Sequence, residues 1–184
     1  YSSSENGATN KVLYAISFDG KNKKTISSLT GYNNAEFSVG CNYFVRSTST
    51  ANQPATYTLC DKTGKELTVL ENNATLREKL ATLHLPQKEF MQVKGADGTL
   101  LNAWMIKPAN FDPAKKYPVY FTIYCGPGSN TVLNKWDGAN YLYHQLLAEK
   151  GYIVFSVDPR GTMYRGAAIK KATYLQLGKL ETED

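Results

Sequence analysis

The stretch YPVYFTIYCGPGSN, residues 117–130, decides the fold class of this chain. It begins with an almost unbroken apolar run, and Tyr124 then leads directly into the turn residues Gly126, Pro127 and Gly128. A short apolar run that ends in turn residues predicts a buried strand of a parallel sheet. Ligands of such sheets bind beyond the carboxyl ends of the strands, so Tyr124 stands where a functional site is expected.

The segments that follow complete the pattern of an α/β domain. WDGANYLYHQLLAEKG (136–151) predicts an amphipathic helix, and YIVFSVD (152–158) predicts a second apolar strand. Strand, helix and strand in this order indicate a parallel sheet covered by helices. The second strand ends at Asp158, so the turn PRGTMYRG should face the same crevice as CGPGSN. Upstream, residues 89–108 predict a hairpin that turns at Ala96-Asp97-Gly98.

The first half of the chain has a different pattern. Residues 1–85 consist of short alternating segments separated by turn residues, which predicts antiparallel strands. Their spacing is compatible with a sandwich, a barrel or propeller blades, and the pattern alone does not choose among these. Asn72 or Asn73 is expected to cap a short helix that runs through Leu83, and Pro86 stops it. We therefore predict a mixed fold, all-β over 1–86 and α/β over 87–184.

Composition excludes several classes of function. The 184 residues carry a formal charge of +5, but the lysines are scattered and no basic cluster is interleaved with aromatics, so no nucleic-acid partner is expected. No apolar run approaches the ~20 residues of a membrane span. With two histidines and no C-x-x-C spacing, we expect no metal site and no cofactor. The free or bridged state of Cys41, Cys60 and Cys125 stays open.

Three segments together resemble the prolyl oligopeptidase class of serine peptidases. They are KKYPVYFTIYCGPGSN (115–130), the helix and strand region 136–166, and LGKLETED (177–184). In the first half, ELTVLENNATLREKL (66–80) resembles the last propeller blade of that class and its exit into the hydrolase domain. The resemblance implies C-terminal blades of a β-propeller and a linker helix over 1–86. It implies the N-terminal part of an α/β-hydrolase domain over 87–184.

The resemblance also implies an activity and a site. It implies release of N-terminal dipeptides after proline or alanine, with Tyr124 as the donor to the oxyanion and Cys125, Gly126 and Pro127 shaping the crevice. Taken alone, a tyrosine at a strand end can equally pack its ring in the core. Further implications are a peptide substrate, a homodimer and a periplasmic, secreted or cell-surface location. Any targeting segment is expected upstream, because residues 1–10 show no signal peptide.

The nucleophile is missing from the 184 residues. No G-x-S-x-G elbow occurs, and Ser129 lacks the elbow glycines, so it is interpreted as a loop residue. His84 and His144 are interpreted as helix residues, and Asp158, Arg160 and Arg165 as structural contacts. The resemblance therefore implies an internal, inactive fragment that ends before the elbow. We expect an exposed apolar edge beyond the strand that ends at Asp158, and association with another copy.

Two other interpretations stay open at this point. One is a different peptidase of the same class, either a tripeptidyl or an acylaminoacyl peptidase. The other is a non-catalytic propeller-hydrolase homologue that binds a partner. The acidic pair that distinguishes dipeptide-releasing members lies outside these residues, and the elbow would decide between enzyme and binding protein.

Overall fold

The computed structural model describes every residue from Tyr1 to Asp184. The chain divides into two compact units. The first contains Tyr1–Leu83 together with Leu133–Asp137, and the second contains His84–Val132 together with Gly138–Asp184. No helix is both long enough and apolar enough to cross a membrane.

The first unit is built from two antiparallel sheets. The smaller sheet has the order β1-β2-β3, and the larger has the order β4-β5-β6-β7. One helix, α1, follows the last strand. The predicted antiparallel strands are confirmed. The bounds are Ser2–Ser3 (β1), Val12–Ala15 (β2), Lys24–Thr25 (β3), Tyr32–Phe37 (β4), Tyr43–Thr50 (β5), Gln53–Asp61 (β6), Glu66–Glu71 (β7) and Ala74–Thr82 (α1).

Four buried side chains form the apolar core of the first unit: Leu13, Ile26, Phe44 and Cys60. Each aliphatic or aromatic side chain buried there contributes about 1.5–3 kcal/mol. Two features require glycine at position 64, in the turn between β6 and β7. Its φ is +90°, and a Cβ would lie 2.8 Å from the Cα of Ile26.

Two asparagines, Asn72 and Asn73, precede the first turn of α1. Asn73 occupies the N-cap position with a left-handed φ of 55°, and its side chain makes no capping hydrogen bond. The Asn72 side chain accepts a hydrogen bond from the N–H of Ala74 at 2.9 Å.

All three cysteines are free, with Cys41 exposed and Cys60 buried.

The second unit holds a mixed four-stranded sheet in the order β10-β11-β9-β8. β8 and β9 form the predicted hairpin, β11 pairs with β9 antiparallel, and β10 pairs with β11 in parallel through α2. The predicted α/β pattern is confirmed. The bounds are Glu89–Lys94 (β8), Leu100–Ile106 (β9), Val119–Phe121 (β10), Ala139–Glu149 (α2), Ile153–Asp158 (β11), Gly166–Lys171 (α3) and Lys179–Glu183 (α4).

The core of this unit lies between α2 and the sheet. Five buried residues form it: Trp104, Ile106, Val132, Ala148 and Val154. His144 of α2 is buried beside them, with its ring centroid 5.4 Å from that of Trp104. The interpretation of His144 as a helix residue is therefore confirmed, and its ring packs in this core. The same interpretation of His84 is wrong, because α1 ends at Thr82 and His84 lies beyond it with φ of 48°.

The structure corrects two expectations about the sheet. The apolar run of residues 117–124 is not a buried strand, because its regular strand spans only Val119–Phe121 and because Val119 and Phe121 are 47% and 58% exposed. The exposed apolar edge is β10, whereas β11, which ends at Asp158, lies between β10 and β9. An apolar pattern reports what a strand can bury, but burial also requires a neighbour on each side.

Candidate active site

Tyr124 lies just beyond the carboxyl end of β10. The N–H of Thr122 still donates to the carbonyl of Phe155 at 3.0 Å, which continues the parallel pairing with β11 for one residue. The chain then leaves the sheet, and the Tyr124 side chain is half exposed, at 50%. A phenol in this position combines a packed ring with a hydroxyl that a ligand can reach.

The ring of Tyr124 lies back over its own turn. A Cβ placed on Gly126 would be 3.1 Å from Cε1 of the ring, and a Cβ placed on Gly128 would be 2.9 Å from the hydroxyl oxygen. At these distances a side chain at either position would require the ring of Tyr124 to shift. The two glycines therefore seat the ring and place the hydroxyl directly over Gly128.

Cys125 turns the chain between Tyr124 and the glycines. Its φ is +54°, a left-handed conformation that non-glycine residues adopt rarely. Burial, together with the carboxylates of Glu181 and Asp158, raises the pKa of the Cys125 thiol. A thiol with a raised pKa stays protonated at neutral pH and is a poor nucleophile, so Cys125 contributes shape to this turn.

Asp158 ties the end of β11 to the segment that follows the glycines. Its buried carboxylate accepts hydrogen bonds from the N–H of Thr131 at 2.8 Å and the N–H of Val132 at 3.1 Å. The hydroxyl of Thr131 donates to the same carboxylate at 3.1 Å. Burial raises the pKa of Asp158, and these hydrogen bonds oppose that shift. The structural role predicted for Asp158 is confirmed.

The guanidinium of Arg160, two residues further along, donates hydrogen bonds to carboxylates that are distant from it in the sequence. Nε and one terminal nitrogen of its guanidinium donate to Asp184, and the other terminal nitrogen donates to Asp97 at 2.8 Å. The backbone N–H of Arg160 also donates to Asp184 at 2.9 Å. The hydrogen bonds with Asp184 are the main reason why the pKa of Arg160 is raised further. The predicted structural role of Arg160 is also confirmed.

The two predicted crevice turns meet at one contact. The N–H of Met163, in the turn after β11, approaches the carbonyl of Ser129 at 3.4 Å. Ser129 is exposed, and its own hydroxyl donates weakly to the carbonyl of Asn130 at 3.4 Å. Ser129 has no contact with a histidine that could activate it, and neither His84 nor His144 belongs to these turns. No triad is assembled from the residues of the chain.

The sequence interpretation missed the partners that hold these turns. Thr131 and Asp184 belong to no motif, and Asp97 belongs only to the turn predicted at residues 96–98. They lie 27, 24 and 63 residues, respectively, from the groups that they bind. Three of the four residues 181–184 are acidic, which suits the first turn of a helix. Glu181 does accept the N–H of Gly178 at 3.0 Å, as expected for a first turn, but Asp184 pairs with Arg160 instead.

Comparison with known proteins shows which proteins this chain is similar to. No protein-family model matches it. It is 33% identical over 188 positions to dipeptidyl peptidase 4 of Trichophyton rubrum, and 32% identical over 189 positions to dipeptidyl peptidase 4 of Arthroderma otae. Each alignment covers 100% of this chain and 24% of the relative, so the chain spans about a quarter of the length of the curated relatives it matches.

A solved structure gives the same result. The crystal structure of Porphyromonas gingivalis dipeptidyl peptidase 4 matches with a TM-score of 0.93 and 39% identity, over 100% of this chain and 26% of that one. The resemblance inferred from the sequence is therefore confirmed. So is the fold class, blades of a propeller followed by the first part of an α/β-hydrolase domain.

Proposed function

We propose that this chain, which is related along its whole length to dipeptidyl peptidase 4, is part of a serine-type exopeptidase. The reaction is the release of N-terminal dipeptides after proline or alanine through an acyl-enzyme. The observation that carries the proposal is the half-exposed phenol of Tyr124, seated by glycines at the carboxyl end of β10. We further propose that residues 1–86 are propeller blades with a linker helix, and 87–184 the start of the hydrolase domain.

Tyr124 acts on the oxygen of the scissile carbonyl. Attack by the nucleophile turns that oxygen into an oxyanion, and a hydroxyl that is already aimed at it lowers the barrier without reorganising. One such donor is worth about 3 kcal/mol. Cys125, Gly126 and Pro127, with Gly128 and Ser129, form the turn that carries the donor and shape the adjacent crevice.

The remaining parts of the proposal concern partners and location. The substrate is a peptide, and the working protein is a homodimer located in the periplasm, outside the cell or at its surface. Neither a nucleic acid nor a cofactor takes part. Because the 184 residues contain no G-x-S-x-G motif, we expect no peptide hydrolysis from this chain by itself.

Replacing Tyr124 by phenylalanine in the complete protein tests the assignment. We expect kcat for a chromogenic Xaa-Pro arylamide to fall about 100- to 1000-fold, because the hydroxyl acts only on charge that develops in the transition state. KM should change little. The matched control is Tyr174→Phe, since Tyr174 is 75% exposed and lies outside the turn. A large rise in KM with unchanged kcat would refute the role of Tyr124.

A substrate panel separates the related alternatives. Blocked N-acyl amino acids, tripeptide arylamides and dipeptide arylamides each report one specificity of the class. Preference for the first two would move the assignment to an acylaminoacyl or a tripeptidyl peptidase. Absence of hydrolysis of any of them by the complete protein would favour a non-catalytic binding protein.

A further inference from the structure

A cavity in the first unit is lined by two arginines and a group of hydroxyls. Its volume is about 350 Å³, which lies at the lower end of the range of small-molecule sites. The arginines come from different elements, Arg46 from β5 and Arg77 from α1. The hydroxyls around them belong to six residues: Ser28, Thr48, Ser49, Thr50, Thr56 and Thr58.

Arg46 is the more unusual of the two arginines. Only 9% of its surface is exposed, and one of its terminal nitrogens forms an ion pair with Glu66. Its Nε–H is buried and has no hydrogen-bond partner. A buried donor without a partner is costly, and native proteins leave few of them unexplained. The side chain as a whole is 10% exposed although its Nε is covered, so a ligand in the cavity can reach the guanidinium only through its other atoms.

Arg77 is fixed in place, but its charge is not neutralised. Its Nε donates to the carbonyl of Asn72 at 2.7 Å, and its terminal nitrogens donate to the side chain of Gln53, the carbonyl of Pro54 and the hydroxyl of Thr56. All of these partners are neutral. A guanidinium held by neutral acceptors is rigid and keeps its full positive charge.

The charges that line the cavity do not balance. Glu66 is the one carboxylate among the lining residues, and its side chain is 59% exposed and already paired with Arg46. Two guanidinium groups against one carboxylate leave one positive charge in excess. Rigid arginines with neighbouring hydroxyls are the side chains that bind carboxylate and phosphate groups in proteins.

We propose that this cavity is a binding site for a small organic oxyanion, a molecule with a carboxylate or phosphate head. The head group lies between Arg46 and Arg77 and pairs with the accessible parts of their guanidinium groups. Thr58, which faces Arg46 across the β5–β6 pair, donates its hydroxyl. The cavity is larger than a bare phosphate ion, so it also has room for the organic part of the ligand. Every lining residue belongs to the first unit, and the site is independent of Tyr124.

Calorimetric titration of the complete protein with inorganic phosphate, and separately with acetate, tests the head group at constant ionic strength. We expect saturable binding in at least one titration. Saturation by phosphate identifies a phosphate head, and saturation by acetate identifies a carboxylate head. Failure of both ions to saturate the protein at tens of millimolar would overturn the proposal.

Two variants and a control test where the ion binds. Arg46→Gln should weaken the binding at least tenfold, and Lys62→Gln, which removes the same charge from an exposed position, should leave it unchanged within twofold. Because Arg46→Gln leaves Glu66 unpaired and could impair folding, Thr58→Val provides a neutral variant, with an expected loss of three- to tenfold. Equal loss in Lys62→Gln, or no loss in Thr58→Val when Arg46→Gln is unfolded, would refute the site.

Discussion

Among single residues, the glycines that follow Tyr124 matter because of where the phenol ring lies. A tyrosine at a strand end usually has several rotamers available, and each would send the hydroxyl to a different place. Here the ring is folded back over Gly126 and Gly128, so close that a methyl group on either would touch it. Catalysis by a positioned donor depends on that placement, because the donor must already point at the developing charge.

Gly128→Ala is the substitution that tests this placement. The new Cβ would lie 2.9 Å from the Tyr124 hydroxyl, so the phenol must move by a few tenths of an ångström or more. In the complete protein we expect kcat to fall about tenfold or more, with the thermal midpoint nearly unchanged, because the turn is exposed. The control is Asn140→Ala, at an exposed position of α2 outside the turn. Equal activity of Gly128→Ala and wild type would show that the ring is not seated by the glycines.

Among the elements, β11 positions the turn that carries Tyr124 by a contact at its carboxyl end. Asp158 is the last residue of β11, and its carboxylate holds the N–H groups of Thr131 and Val132. The turn between Tyr124 and Asn130 is thus fixed at both ends, by β10 before it and by Asp158 after it. Parallel strands bring such groups together because their carboxyl ends lie at one edge of the sheet.

Asp158→Ala should loosen that second attachment. It leaves two N–H groups without acceptors, at a cost of about 2–4 kcal/mol. We expect the amide hydrogens of Thr131 and Val132 to exchange with solvent roughly 30-fold faster or more, as about 2 kcal/mol of lost protection requires. Hydrogen exchange of peptides that cover residues 129–133 measures this. The control is Asp137→Ala at an exposed position, and unchanged exchange in Asp158→Ala would contradict the role of the contact.

At the level of the whole molecule, the exposed side chains of β10 and the residues after it form an apolar surface. Val119, Phe121 and Ile123 are 47%, 58% and 52% exposed, and β10 has a paired strand on one side only. An exposed edge with apolar side chains is a template for pairing with another chain. The 184 residues on their own should therefore associate.

The association can be measured by light scattering after size exclusion. We expect the 184-residue chain to form dimers or larger species at micromolar concentrations. Phe121→Lys, which places a charge on the edge strand, should shift the population toward monomers. Phe18→Lys is the control, because Phe18 is fully exposed and lies outside β10. A monodisperse monomer at high concentration would show that this surface does not drive association.

Local signals in the sequence predicted the elements that depend on neighbouring residues. Alternating segments with glycine turns predicted β4 to β7, the Ala96-Asp97-Gly98 turn predicted the β8–β9 hairpin, and the periodicity of residues 136–151 predicted α2. The position of Tyr124 beyond an apolar strand was predictable for the same reason. These features follow from backbone preferences and from hydrophobic periodicity, which act over a few residues.

The order of the strands and the contacts between distant residues depended on the tertiary structure. An apolar run has the same pattern at an edge as in the middle of a sheet, so the exposure of β10 could not be predicted from it. The pairs Asp158 with Thr131 and Arg160 with Asp97 join residues 27 and 63 positions apart. The cavity around Arg46 and Arg77 is likewise lined by residues of β5 and α1 that are 31 positions apart in sequence. Sequence patterns describe what each segment can bury, whereas packing decides which segments meet.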